Sequence, residues 1–262
     1  MHRLLVESAL LAEERPVLPA DAAKHLKVVR PKDGEEIELF DGKGTWRVYR
    51  FCASLKSGEG AASPLRAISQ TSQTSQTSQA LTLFACVTKG SRWDWTVEKA
   101  TELGVTRIVP VISDRTIVRI AKSERAAKRE RWQRIAEDAA RQSDAKWLPE
   151  IAEAVDFADA LPLVRETTCF IGALTTPPAR PLLEAVGEKV EGGRSKAGQW
   201  NFSTFIGPEG DFTPEELAAL MEIATPTSFG PTVLRAETAA IYAVSVIQAQ
   251  MNSEREGRDG EE

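Results

Sequence analysis

The hydrophobic positions along the chain change their period once, near residue 70. Before it they fall in short runs, "HRLLVE", "EEIELF" and "TWRVYRFCASL", with "DGKG" as a turn between the last two. Ile37 and Leu39 alternate with Glu36 and Glu38, the period of a half-buried strand. Residues 1–69 therefore predict a small β-rich domain, a barrel. Residues 69–79 read "SQTSQTSQTSQ", a polar three-residue repeat with no apolar member. Such a repeat cannot cover a core, so a linker is expected over 70–80.

Beyond it, strands and helices alternate. "LTLFACV" (81–87) has the length and composition of a buried strand. "SRWDWTVEKATELG" predicts a helix capped by Ser91 and ended by Gly104. "VTRIVPVIS" (105–113) is the next strand, and the helix after it places Trp132, Ile135, Ala136 and Ala139 on one face. "TCFIGAL" (168–174) and "FSTFIG" (202–207) are short apolar strands. Thr213, Pro214 and Glu216 spell a cap, a first-turn proline and a capping-box acid for a following helix. The last helix, near 236–250, is apolar almost all round and should be buried. The acidic tail 251–262 is expected to be disordered. This alternation argues for an α/β domain over 81–250, with a mostly parallel sheet covered on both faces.

Composition narrows the chemistry. Two histidines, His2 and His25, leave little for a metal site or a Ser-His-Asp triad, and no metal is expected. The cysteines, Cys52, Cys86 and Cys169, are odd in number and far apart, which fits a reducing cytoplasm without disulfides. The N-terminal "MHRLLVESALLAEERP" interrupts its apolar patch with charge, and "AAIYAVSVIQAQM" is too short to span a bilayer. No membrane partner is expected. The net charge of −5 speaks against nucleic acid, but its distribution does not. Residues 115–147 hold 10 Lys+Arg against 5 Asp+Glu, whereas 148–229 hold 5 against 13. A basic segment on an acidic protein can bind phosphates locally; a solvated helix face is the plainer alternative.

Two loops stand out. "IGPEGDF" joins a strand to a helix where ligands sit in parallel sheets, beyond the carboxyl ends of strands. Gly207 and Gly210 permit close approach and unusual φ, and Pro208 stiffens the turn. It is neither a dinucleotide fingerprint nor a Walker loop, and a structural turn is the simple reading. "FGPTVLRAETAA" repeats the break, and Arg235, Glu237 and Thr238 open a helix that is otherwise apolar. Buried helices rarely begin on an Arg and a Glu without partners, whether structural or functional. The two Gly-Pro loops together could line one pocket.

Five ordered stretches carry a resemblance. "HLKVVRPKDGEEIELFDGKG", "KGSRWDWTVEKATELGVTRIVPVISDRTIVR", "RWQRIAEDAARQS", "FIGPEGDFTPEE" and "FGPTVLRAETAA" resemble the RsmE family of 16S ribosomal RNA uridine N3-methyltransferases, in the SPOUT class, over roughly residues 2–250. The resemblance implies a PUA-like β-barrel followed by a SPOUT methyltransferase domain whose last third forms a deep trefoil knot. It implies S-adenosylmethionine as cofactor, the small ribosomal subunit as partner, and a homodimer in the cytoplasm. The cofactor pocket would take Leu174, then Ile206, Gly207, Pro208, Glu209 and Gly210 from the first loop. From the second it would take Phe229, Gly230, Leu234, Arg235 and Thr238. Arg235 would stabilise a developing imide anion or position the uridine, Glu237 would orient Arg235, and Glu209 would act as base or bracket the loop. RNA contacts would come from Arg3, Lys24, His25, Lys27 and Arg30 in the barrel, and from Arg92, Arg115 and Arg119. Three positions depart from the family's pattern, which has Gly at Asp144 and Asp211 and Leu at Phe229. A SPOUT enzyme for another RNA nucleotide and a non-catalytic rRNA-binding assembly factor are the rival readings.

Overall fold

The computed structural model describes residues 1–53, 64–73, 79–173, 179–191 and 200–259. Two compact units divide the chain: Met1–Gln76 with Glu137–Leu148, and Thr77–Ala136 with Pro149–Glu262. Residues 137–148, expected within the second domain, thus belong with the first.

The first unit contains β1 (His2–Leu5), α1 (Ala20–Val29), β2 (Glu36–Phe40), β3 (Thr45–Phe51), β4 (Leu65–Ala67) and β5 (Ser72–Gln73). The sheet runs β1-β2-β3-β4, with β5 also on β3; β1 and β2 are parallel and the rest antiparallel. The predicted turn forms because the Asp41 carboxylate accepts from the backbone N–H of Lys43 (2.8 Å) and Thr45 (2.9 Å). Burial alone would raise the Asp41 carboxyl, but bonds from Thr45, Lys43 and Ser8 outweigh it and hold it below its usual range. Leu4, Ile37, Leu39, Tyr49 and Leu65 fill the core. The repeat expected to be a linker is partly strand: Ser72 and Gln73 pair with β3, and Gln79 opens the next strand. Residues 74–78 of it lie outside the described ones.

The alternation along β2 fails at one position. Glu38, expected to face water, is buried, and so is Arg3, expected to face RNA. Their side chains are 3 % and 5 % exposed and meet at 2.8 Å. Arg3 also donates to the backbone carbonyls of Ala140 (2.7 Å) and Ala145 (2.9 Å), and Lys146 Nζ reaches both Glu38 oxygens at 2.8 Å. The segment 137–148 therefore covers a strand face that local periodicity assigns to solvent. Arg3 thus commits three donors to its own chain from a buried position.

The second unit holds β6 (Gln79–Cys86), α2 (Ser91–Glu102), β7 (Arg107–Ile112), most of α3 (Lys122–Gln142), β8 (Glu150–Ile151), β9 (Val155–Asp156) and α4 (Phe157–Arg165). It continues with β10 (Thr168–Gly172), α5 (Leu182–Glu191), β11 (Trp200–Ile206), α6 (Pro214–Met221), β12 (Thr225–Thr227) and α7 (Ala236–Asp259). The strand order is β12-β10-β11-β6-β7-β8, with β9 also on β7, and each of these pairings is parallel. One face carries α2, α3, α5 and α7 over Leu81, Leu83, Trp93, Val97, Trp132 and Val244. The other carries α4 and α6 over Phe84, Val109, Val164, Phe205 and Leu220.

Local signals place the helix ends with one exception. The Thr213–Glu216 capping box forms, with Pro214 in the first turn. Gly104, at φ 83°, ends α2. Gly90, rather than Ser91, is the N-cap of α2. Trp93 and Trp132 pack edge to face at 5.5 Å in the core, whereas Trp95 is exposed. The expected disordered tail is helical as far as Asp259, and Met251 is buried; residues 260–262 lie outside the described ones. Among the described residues no helix is long and apolar enough to cross a membrane.

Removing one member of a buried ion pair leaves the other charge uncompensated, at a cost of about 3–5 kcal/mol. Here Lys146 still pairs with Glu38, and the loss falls on the carbonyls of Ala140 and Ala145, so Arg3→Ala is expected to lower the unfolding free energy by less, about 1–3 kcal/mol, in urea titrations. Were Arg3 an RNA contact instead, the substitution would leave stability near wild type and reduce the salt dependence of RNA binding.

Candidate active site

Parallel pairing puts the carboxyl ends of β6, β10 and β11 on one edge. The first Gly-Pro loop leaves β11 there and is fastened to the segment after β7. Arg115 donates to the carbonyls of Gly210 (3.0 Å) and Phe212 (3.1 Å). Glu216 accepts from the backbone N–H of Asp114 through Oε1 (2.9 Å) and of Thr213 through Oε2 (3.0 Å). Arg119 donates to the carbonyls of Ser113 and Asp114. Arg115 and Arg119, expected to meet RNA, brace backbone from exposed positions.

The unusual φ expected of Gly207 or Gly210 falls elsewhere. Neither has positive φ, whereas Asp211 stands at 60° and its carboxylate accepts from the N–H of Phe212 at 2.8 Å. Asp144 stands at 61°. Both are positions at which the resemblance gives glycine, so the departures sit where a Cβ carries a real backbone cost. In the second Gly-Pro loop Gly230 has φ 115°, and a Cβ there would meet nothing within 4 Å. Phe229 lies directly on Gly172 at the end of β10: a Cβ on Gly172 would stand 2.7 Å from its ring. The same ring packs on Tyr242 of α7 at 5.5 Å. Close approach, not backbone freedom, explains that glycine.

The charged groups pair differently from the expectation. Glu237 does not orient Arg235. Arg92, in the first turn of α2, lies 3.9 Å from Glu237 and 3.4 Å from Glu209. The side chains of Arg92, Glu209 and Glu237 are 48 %, 25 % and 13 % exposed. Arg235 is exposed, and among the described residues no carboxylate lies within 4.0 Å of it. Behind Glu237 the side chains of Cys86, Thr88, Trp93 and Ile206 close together and leave no room for a water. Glu237 Oε2, Thr88 Oγ1 and Trp93 Nε1 are buried there without hydrogen-bond partners. Ile206 and Pro208 are buried, Leu234 is half-buried, and Thr238 is exposed. Leu174 lies outside the described residues.

In the first unit Lys24, His25, Lys27 and Arg30 are exposed on α1 and its cap. His25 borders a groove of about 540 Å³ with His2, Val29 and Arg141. Among the described residues, no three His, Cys, Asp or Glu side chains are placed to hold a metal.

This arrangement has known relatives. A family model described as an RNA methyltransferase domain matches residues 75–248. The chain belongs to the RNA methyltransferase family. A second model, the PUA domain of RNA methyltransferases, matches residues 18–51. The chain is 29 % identical over 256 residues to the ribosomal RNA small subunit methyltransferase E of Synechocystis, covering 96 % of this chain and 78 % of that one. It is 31 % identical over 170 residues to the protein of the same name from Aquifex aeolicus, covering 64 % and 67 %. A crystal structure of ribosomal RNA small subunit methyltransferase E from Neisseria gonorrhoeae, bound to S-adenosyl methionine, superposes with TM-score 0.73 at 29 % identity, over 95 % of this chain and 97 % of that one. The architecture is the SPOUT-type α/β fold with a PUA-like N-terminal unit.

Two outcomes follow. Gly172→Ala forces its Cβ into Phe229 and is expected to destabilise by about 1–3 kcal/mol; Phe229→Leu added to it restores part of the loss in thermal melts. Burial pushes the Cys86 thiol up to about 11, although the Ser113 hydroxyl, able to donate to a thiolate, opposes the rise, and burial pushes Cys169 up to about 12. Both stay protonated at pH 8, so a thiol reagent is expected to modify half-buried Cys52 in the native protein and the other two only after unfolding. The unfolded chain releases those two protons first, so stability falls as pH rises above the usual value of 9.0.

Proposed function

We propose that this chain is an S-adenosylmethionine-dependent methyltransferase acting on N3 of a uridine in the 16S rRNA of the small ribosomal subunit. The observation that carries the reading is the likeness, over nearly the whole of both chains, to the cofactor-bound Neisseria gonorrhoeae structure. The site's own chemistry fits. The loop at 207–212 is braced from outside by Arg115, Gly230 leaves open space beside the second loop, and Glu237 keeps a buried oxygen unpartnered. A ligand held mainly by backbone groups, with a cationic centre, suits that donor set. Ile206 to Gly210 of the first loop and Phe229, Gly230, Leu234, Arg235 and Thr238 of the second are the residues assigned to hold it.

When bound, the cofactor supplies an electrophilic methyl group on a sulfonium. The protein's part is to position the uridine and dispose of the N3 proton, and orientation of this kind is worth roughly 7–11 kcal/mol. Arg235, exposed and without a carboxylate, is assigned to the imide anion that forms as N3 loses its proton. Glu209, the more open of the two acids, is assigned to accept that proton. The base must be unpaired or flipped to reach this edge. Lys24, His25, Lys27 and Arg30 are assigned to the RNA backbone. A homodimer, a cytoplasmic location and a trefoil knot complete the reading.

The test is nucleoside mass spectrometry after incubating the protein and S-adenosylmethionine with small subunits from a strain lacking the corresponding gene. New N3-methyluridine is expected, and Arg235→Ala is expected to abolish it. A different methylated nucleoside moves the chain to another RNA target. Cofactor binding with no methylated product favours an rRNA-binding assembly factor.

A further inference from the structure

Three distant stretches of chain meet at one guanidinium. Arg92 opens α2, Glu209 sits in the middle of the first Gly-Pro loop, and Glu237 stands in the first turn of α7, directly after the second. Arg92 donates to Glu209 Oε1 at 3.4 Å and lies 3.9 Å from Glu237 Oε1. Among the described residues no other cation lies within 4.0 Å of either carboxylate.

The three groups are not equivalent surface charges. An exposed ion pair contributes little, because water screens it and two long side chains must be held still. Glu237 is different: its side chain is only 13 % exposed, and its second oxygen is buried without a partner. An ionised carboxylate in that position needs a nearby positive charge. The amide groups at the start of α7 supply part of it, and among the described residues Arg92 supplies the only full charge at hand. Remove that charge and two like-charged loops repel each other across the opening they share.

We propose that Arg92 is a positioning residue for the cofactor site: by holding Glu209 and Glu237 at once it fixes the gap between the two Gly-Pro loops. This assigns it a task other than the RNA contact implied by family resemblance. The proposal rests on the cofactor reading given above, and it concerns the site before any RNA arrives.

The experiment is calorimetric titration of S-adenosylhomocysteine into the full chain without RNA, for wild type, Arg92→Ala, Arg92→Lys, Glu237→Gln and the Arg92→Ala/Glu237→Gln double variant. Thermal melts of each confirm folding, and Arg92 is exposed enough for its variants to fold. Arg92→Ala is expected to weaken binding about tenfold. Arg92→Lys falls between it and wild type, since an ammonium reaches one carboxylate but not both. The double variant is expected to bind no more weakly than the weaker single one, because both changes break the same contact. Affinity within twofold of wild type in Arg92→Ala overturns the proposal, and so do fully additive losses in the double variant. A wild-type chain that binds no S-adenosylhomocysteine sinks the cofactor reading itself, and the proposal with it.

Discussion

Everything chemical in this molecule depends on strand direction. The pairings of the seven-stranded sheet are parallel, so the carboxyl ends of β6, β10 and β11 share one edge. Parallel strands cannot be joined by tight hairpins, and each crossover must return over a face of the sheet. The loops that leave the carboxyl edge are therefore neighbours although their residues are far apart in sequence. Both Gly-Pro loops and the start of α2 come together by this rule alone. β11 lies between β6 and β10, and so the first loop emerges at the middle of the sheet, where flanking elements can brace it.

That bracing uses opposite devices on its two sides. Outside, neutral backbone is held by charged side chains: Arg115 on two carbonyls, Glu216 on two amides. Bonds of this kind are geometrically strict, and they free the loop's own acid for another partner. Inside, the contacts are steric, with Phe229 pressed onto Gly172 and the Phe212 ring against Gly207. A loop held from both sides can present its amides to a ligand with little further loss of entropy.

What could be read from sequence was mostly local. The capping box at Thr213 and the stop at Gly104 each rest on residues within a few positions, and both appear as their residue types dictate. The special backbone at Asp211 was legible only because relatives place glycine there. Arg3 and Glu38 were misjudged for a reason that no window could repair. Arg3 bonds carbonyls 137 and 142 positions further along the chain, and Glu38 a lysine 108 positions on, in a segment that looks like an ordinary helix end. Arg92, Arg115 and Arg119 illustrate the same limit. Charge alone marks a residue for phosphate, and it cannot tell whether a carboxylate or a carbonyl of its own chain reaches it first.

The first unit is discontinuous: it closes only with Glu137–Leu148. During synthesis Arg3 and Glu38 leave the ribosome first, and the carbonyls of Ala140 and Ala145 that bond Arg3 are translated more than a hundred residues later. By then β6, α2 and β7 have already emerged. At about 5–20 residues per second the N-terminal unit waits many seconds, with its ion pair unsealed, for a segment encoded in the middle of its neighbour. The first unit cannot be completed before part of the second has been made. A fragment cut at residue 76 would be left with the same unsealed charges, permanently.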